Sequence, residues 1–238
     1  MEVEVFADDE STARAAAKRI VEESIAAVAA RGRFVMAVSG GHTPWIMLRI
    51  LAKEELPWEH LHVFQVDERI APIGHAERNL THLQESLLGT APIHPEQIHA
   101  MAVESPDLEA AAAQYASTLC EIAGSPPMLD LVHLGLGPDG HTASLVPEDP
   151  VLKVTDRDVA LSGAYQGRRR MTLTYPIINR TRRILWLVTG SEKVNMLARL
   201  RKGDNSIPAG RVQQERALLF SDRAAIGDVS VLSAKETS

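Results

Sequence analysis

Short apolar runs alternate along the chain with longer segments in which apolar positions recur at helical spacing. The runs predict strands at 3–6, 34–38, 61–66, 129–136, 171–174, 184–188 and 217–220. The periodic segments predict helices at 11–31, 46–52, 78–88, 106–122 and 192–200. Repeated alternation of strand and helix is typical of an α/β fold with a mainly parallel sheet.

Length and composition favour a single domain over residues 1–238. The chain has 238 residues, 45% of them hydrophobic, which suffices for a core without disulfide or metal staples. No stretch is apolar enough to span a bilayer, and the N-terminus lacks a signal-peptide pattern. The only cysteine, Cys120, cannot form a disulfide within the chain. We therefore expect a soluble, cytoplasmic protein without a membrane partner, whose oligomeric state, a homo-oligomer included, stays open.

The charge balance restricts the class of ligand. A formal net charge of −6 gives no overall attraction to nucleic acid, so we expect none as a partner. An anionic ligand must then be held by local positive groups. The basic residues of 168–170 and 180–183 lack interleaved aromatics, which favours a solvated face with one ligand-facing arginine.

The loop after the second strand combines two glycines with a helix start. Ser39, Gly40 and Gly41 precede Thr43, the expected N-cap, and Pro44, which suits the first helical position. Bare backbone amides, a hydroxyl and the helix dipole can hold an anion there. An ordinary strand-to-helix turn explains the same spacing equally well.

The segment Gly135–Gly140 matches the glycine pattern of a dinucleotide site, but that interpretation is rejected. Pro147 and Pro150 leave too little room for the crossover helix that such a site requires. What remains is a glycine-rich loop presenting Asp139 and His141. A histidine at the carboxyl end of a strand is a candidate general base, although most histidines are only exposed or hydrogen-bonded.

Two more strand ends carry charged residues. Asp67, Glu68 and Arg69 follow the third strand, where Arg69 can hold or polarise a substrate oxygen and Asp67 can act as a base. The alternative is a solvated turn with local ion pairs. Lys193 follows a later strand and can reach a phosphate.

Several familiar sites are absent from the sequence. No serine lies in a G-x-S-x-G elbow, and no H-E-x-x-H pattern or pair of cysteines occurs. These absences favour metal-independent chemistry.

The motifs together resemble the 6-phosphogluconolactonase family, in the same order over nearly the whole chain. The segments that carry the resemblance are Ser39–Pro44, Val66–Arg69, Asn79, Gly135–Leu145 and Thr189–Gly190 with Lys193. The family implies a Rossmann-like sheet with helices on both faces. It also implies hydrolysis of 6-phospho-D-glucono-1,5-lactone, a phosphorylated sugar lactone, in the pentose phosphate pathway without a cofactor or metal.

Residue roles follow from the resemblance position by position. His141 is implied as the general base that activates water, with Asp139 beside it as an orienting group. Arg69 is implied to stabilise charge on the lactone oxygen or to hold the substrate. The expected binding residues are Gly40, Gly41, Thr43, Arg170 and Lys193 for the phosphate, with Ser39, Asp67 and Asn79 in the same substrate site.

Two other functions compete with this interpretation. A glucosamine-6-phosphate deaminase/isomerase would share the phosphate loop and use Asp67 as a proton shuttle. Those enzymes resemble D-G-H-I-A-F-N-E-P where this chain has Asp139–Pro147, and they carry tyrosine at the position of Arg69. A non-catalytic sugar-phosphate sensor would need an output module, and no segment indicates one.

Overall fold

The computed structural model describes residues 1–227 and contains ten named strands and seven α-helices within them. The strands are β1 (Glu2–Phe6), β2 (Phe34–Val38), β3 (Leu61–Gln65), β4 (Asp67–Arg69), β5 (Ile98–His99), β6 (Leu131–Leu134), β7 (Val159–Tyr165), β8 (Arg168–Leu173), β9 (Arg183–Val188) and β10 (Ala217–Asp222). The helices are α1 (Asp9–Arg31), α2 (His42–Leu51), α3 (Asn79–Leu83), α4 (Leu108–Ala123), α5 (Tyr175–Arg180), α6 (Val194–Arg201) and α7 (Arg223–Ile226).

Seven strands form one parallel sheet in the order β1-β10-β9-β6-β2-β3-β5. Successive residues of β2 point to opposite faces, so Phe34 and Met36 pack into one apolar cluster and Val35 and Ala37 into the other. Helices α1 and α2 cover the first face, whereas α4, α5 and α6 cover the second. This arrangement confirms the predicted α/β fold with a mainly parallel sheet and helices on both faces.

The first helix shows how local sequence sets the boundaries. The side chain of Asp8 accepts from the Ser11 amide at 2.8 Å and caps the N-terminus. Gly32 ends the helix with φ 74°, a left-handed conformation that glycine adopts without strain.

The second helix differs from the prediction, because Gly41 is its N-cap and Thr43 lies inside it. The interpretation of Thr43 as a cap is therefore wrong.

A second, three-stranded antiparallel sheet, β4-β8-β7, was not predicted. The expected strand at 171–174 belongs to this sheet, and Asp67–Arg69 forms β4 rather than a solvated turn. Residues Gln166 and Gly167 close the β7–β8 hairpin with φ of 52° and 80°, as a tight two-residue turn requires. The small sheet brings β4 and β8 side by side at the edge of the cleft described below.

Within residues 1–227, none of the helices has the length and apolarity needed to cross a membrane. Fraying of the last residues, Ser233–Ser238, is also expected from the sequence, but this segment lies outside the described residues.

Candidate active site

A cleft of about 530 Å³ opens where the carboxyl ends of the central parallel strands meet the small sheet. Loops after β2, β6 and β9 form its walls, as expected for ligand sites in open α/β sheets. The predicted site residues that line it are Ser39, Gly40, Gly41, Thr43, Asp67, Arg69, Asn79, His141, Arg170 and Lys193. Asp139 does not line the cleft and instead contacts His141 from behind.

The glycine loop packs so closely that larger residues do not fit. A Cβ atom on Gly40 would overlap the side-chain oxygen of Asn79 and come within 2.8 Å of Trp45. Gly41 has φ 137°, a conformation that side chains strain. The Oγ1 of Thr43 lies 2.6 Å from the Oγ1 of Thr189. This contact joins the first turn of α2 to the loop after β9, and both residues line the cleft.

Ser39 is tied into the sheet. Its hydroxyl donates to the His133 carbonyl at 3.0 Å, and its amide donates to His133 Nδ1 at 3.3 Å. Complete burial lowers the pKa of His133 to about 3, so the ring stays neutral and Nδ1 can accept. Ser39 therefore anchors the glycine loop to β6, and its amide and hydroxyl proton are already engaged.

Asp67 is buried and held by three neighbours. Its Oδ2 accepts from the Ser144 hydroxyl at 2.6 Å and lies 4.0 Å from Arg170 NH1. Its backbone carbonyl accepts from the Asn79 side-chain amide at 2.9 Å. These contacts fix the carboxylate between the small sheet and the loop after β6.

Glu68 does not line the cleft but supports residues that do, a role that the sequence interpretation missed. Its fully buried carboxylate accepts from the backbone amides of Arg69 at 2.7 Å, Asn79 at 2.8 Å and Leu80 at 2.8 Å. The Arg78 guanidinium lies beside it, with Nε 3.0 Å from Oε2. Glu68 thus fastens β4 to the start of α3 and sets the positions of Arg69 and Asn79.

Arg69 extends from β4 into the cleft. Its NH1 donates to the side-chain oxygen of Asn79 at 2.5 Å, so the guanidinium has a fixed direction. Arg170, on the neighbouring strand β8, is only 4% exposed, and burial lowers its pKa. Among the described residues, its Nε has no hydrogen-bond partner. Such a buried donor at a cleft wall is suited to an anion that enters the cleft.

His141 and Asp139 form a hydrogen-bonded pair, with Nδ1 2.6 Å from Oδ1. Burial alone would raise the pKa of Asp139, but hydrogen bonds from the His141 side chain and amide, and from Tyr165, outweigh it and lower the pKa. The ionised carboxylate can only accept, so Nδ1 carries the proton. Nε2 is then the basic nitrogen of the ring.

Glycines allow this pair to form. A Cβ atom on Gly137 would overlap the His141 ring, so the ring packs directly over that backbone. The Gly137 amide donates to the His141 carbonyl at 2.8 Å. Gly140 has φ 83° and approaches Ile207 closely. The chain after Gly140 forms turns instead of a crossover helix, which agrees with the rejection of a dinucleotide site.

Tyr165 is the second residue that sequence reasoning missed. Its hydroxyl donates to Asp139 Oδ2 at 3.0 Å, and burial together with this carboxylate raises the pKa of Tyr165. A signal for it existed in the sequence, because Gln166 and Gly167 separate two strand-like segments by a two-residue turn.

Lys193 also lines the cleft, and its Nζ is 3.8 Å from Glu192 Oε1. Gly190 has φ 98°, and its amide lies 3.1 Å from both carboxylate oxygens of Asp222.

Across residues 1–227, the structure contains no cluster of three or more His, Cys, Asp or Glu side chains placed to hold a metal. The cationic groups Arg69, Arg170 and Lys193 therefore surround one cleft that also presents an imidazole.

Comparison with known proteins agrees with this geometry. A sequence model described as glucosamine-6-phosphate isomerases/6-phosphogluconolactonase matches residues 7–220. The 6-phosphogluconolactonase of Mycobacterium tuberculosis is 38% identical over 237 residues, covering 94% of this chain and 96% of that protein. The 6-phosphogluconolactonase of Synechocystis is 37% identical over 201 residues, covering 82% of this chain and 83% of that protein.

A solved structure gives the same result. The crystal structure of the 6-phosphogluconolactonase from Thermotoga maritima has a TM-score of 0.82 to this chain at 26% identity. The match covers 93% of this chain and 98% of that one. This chain belongs to the family of glucosamine-6-phosphate isomerases and 6-phosphogluconolactonases.

Proposed function

We propose that this protein hydrolyses 6-phospho-D-glucono-1,5-lactone to 6-phosphogluconate, with His141 as the general base. The observation that carries the proposal is the Asp139–His141 pair, 2.6 Å apart, in a cleft lined by three cationic side chains. A basic imidazole and separate anion-binding groups are what hydrolysis of a phosphorylated ester requires. The names of the relatives support the same substrate.

The reaction needs one water and one base. Nε2 of His141 takes a proton as the water oxygen attacks the lactone carbonyl carbon, and negative charge develops on the carbonyl oxygen. The C1–O5 bond then breaks, and the imidazolium returns the proton to the departing ring oxygen. Asp139 holds the ring in the tautomer with a basic Nε2 and stabilises the imidazolium. Arg69, directed by Asn79, stabilises the charge on the carbonyl oxygen.

The phosphate is held away from the reacting carbon. Gly40 and Gly41 offer backbone amides, Thr43 a hydroxyl, and Lys193 and Arg170 positive charge. Binding energy from this remote group orients the ring for attack. In this proposal Ser39 supports the loop and does not contact the phosphate.

The contacts of Asp67 favour lactone hydrolysis over deamination. A proton shuttle needs a carboxylate oxygen that is free to exchange a proton with the substrate. Although Asp67 lines the cleft, both of its carboxylate oxygens are engaged, Oδ2 by the Ser144 hydroxyl at 2.6 Å and Oδ1 by the Asn79 side-chain amide at 3.3 Å. We assign it the task of balancing charge and holding Arg170 and Asn79. The proposal also includes the expectations of a single domain, a cytoplasmic location and a place in the pentose phosphate pathway.

The test generates the lactone in situ and follows its disappearance with and without the protein. In parallel, ammonia release from glucosamine 6-phosphate is measured. We expect hydrolysis well above the spontaneous rate and no ammonia. A lactone lifetime unchanged by the protein would refute the proposal, and ammonia release would replace it with the deaminase function.

A further inference from the structure

Tyr165 occupies the last position of β7, at the tip of a hairpin that reaches over the cleft. It pairs with Arg168 across the turn formed by Gln166 and Gly167. Gln166 lines the cleft, but Tyr165 does not. Whatever Tyr165 contributes to the site must therefore act through its neighbours.

The hydroxyl of Tyr165 contacts the Asp139–His141 pair. The hydroxyl donates to Asp139 Oδ2 at 3.0 Å and lies 3.4 Å from His141 Nδ1. The Tyr165 ring also packs edge-on against the imidazole, with centroids 5.1 Å apart. Asp139 thus has one oxygen bound to His141 and the other bound to Tyr165, so it cannot rotate without losing a hydrogen bond.

The ring face of the same residue supports a different part of the site. The Arg170 guanidinium carbon lies 5.0 Å from the centroid of the Tyr165 ring, within the range of a cation–π contact. Arg170 NH2 also donates weakly to the Gln166 side chain at 3.4 Å. The hairpin tip therefore contacts Arg170 as well as the Asp139–His141 pair.

We propose that Tyr165 is a positioning residue that links the general base to the anion-binding arginine. Its hydroxyl orients Asp139 and His141, and its ring face holds Arg170 at a fixed distance from them. The inference rests on the proposed function of the cleft. It adds a residue that fixes the position of the general base relative to the anion-binding arginine.

The hydroxyl and the ring of Tyr165 have different effects on the site. A hydrogen bond from Tyr165 draws negative charge away from the Asp139 carboxylate. Without it, Asp139 favours the imidazolium form of His141 more strongly, and that form cannot act as a base. Asp139 and Tyr165 contact His141 directly. The other charged and titratable groups in the same cleft are Asp9, His42, Asp67, Arg69, Arg170, Glu192, Lys193 and Asp222.

The experiment compares Tyr165→Phe, which keeps the ring, with Tyr165→Leu, which removes it. We expect Tyr165→Phe to lower kcat about tenfold near pH 6 with little change in KM, as loss of one hydrogen bond to a charged group implies. The acidic limb of its rate profile should move to higher pH. Tyr165→Leu should in addition raise KM about two- to fivefold, because Arg170 loses its cation–π contact.

Tyr175→Phe is the matched control, since the Tyr175 hydroxyl donates to the Pro208 carbonyl at 2.9 Å and Tyr175 does not line the cleft. It should leave kcat, KM and the rate profile unchanged. A Tyr165→Phe variant with the control's kinetics would overturn the proposal.

Two readouts without lactone keep this test separate from that of the proposed function. The titration of the His141 ring, followed by NMR, should move to higher pH in Tyr165→Phe but not in Tyr175→Phe. Binding of inorganic phosphate, measured by calorimetry, should weaken in Tyr165→Leu and not in Tyr165→Phe. Unchanged titration and unchanged phosphate binding would contradict the linking role even if the wild-type protein is an active lactonase.

Discussion

Arg69 and Arg170 are direct cross-strand partners in the antiparallel β4–β8 pair, and both line the cleft. Like charges at such positions repel each other. Asn79 binds the first guanidinium, whereas Asp67 and Tyr165 lie beside the second. Burial lowers the pKa of Arg170, and the charge of Arg69 lowers it further, against the opposing effect of Asp67. Two cations kept this close make one wall of the cleft strongly positive, which favours the binding of anionic groups there.

An anion should therefore stabilise the fold through Arg170. Phosphate at about 100 times its Kd adds roughly 2.7 kcal/mol to the free energy of unfolding of the wild type, which raises Tm. Arg170→Met should lose most of this rise, measured against the Tm of the same variant without phosphate. Arg169→Met, one position earlier on β8 and exposed, is the control and should keep the full rise. An equal phosphate-dependent rise in Arg170→Met would remove this arginine from the anion site.

The close packing of His141 on Gly137 makes a second prediction. In Gly137→Ala the new Cβ would overlap the imidazole ring, so the ring must tilt away from Asp139. We expect kcat to fall at least about tenfold, because small misplacements of a reacting group are costly. Gly135→Ala is the control in the same loop, since its Cβ would meet nothing within 4 Å. Normal kcat in Gly137→Ala would show that the ring position is not critical.

The buried His133 predicts acid sensitivity of the fold. Burial lowers its pKa from 6.5 to about 3, so the unfolded chain binds a proton more readily than the folded one between these values. The free energy of unfolding should be highest above pH 6.5 and fall as the pH drops toward 3. His133→Asn keeps a group that can accept from the Ser39 amide, but it is smaller than the buried imidazole and does not titrate. The variant should therefore be less stable at pH 7.5, and its free energy of unfolding should fall less on acidification. Urea unfolding at pH 7.5 and 5 measures the difference, and an equal loss in both proteins would contradict it.

The main sheet could be predicted because parallel strands buried on both faces form apolar runs. The segment Phe34–Val38 is an example, since all five of its residues are buried. The small sheet could not be predicted in this way. Its strand Asp67–Arg69 has three charged residues, and its partner Arg168–Leu173 lies about 100 residues later in the chain.

The cleft residues were predicted from motifs, and so was Asp139 beside His141, but other residues that hold the cleft residues in place were not. Glu68 looks like a surface residue in the sequence, and its burial is explained by tertiary partners, among them the amides of Asn79 and Leu80 and the guanidinium of Arg78. Tyr165 contacts Asp139 because a hairpin folds back over the loop after β6. Contacts of this kind depend on tertiary pairing, which local patterns do not encode.

The central claim is that the imidazole of His141 activates water for lactone hydrolysis. Its most direct test is kcat of His141→Ala on lactone generated in situ, beside the wild type and His60→Ala, which removes an exposed histidine outside the cleft. We expect His141→Ala to lose about 10²- to 10⁴-fold in kcat with KM nearly unchanged, and His60→Ala to match the wild type. A His141→Ala protein that keeps wild-type kcat would contradict the account.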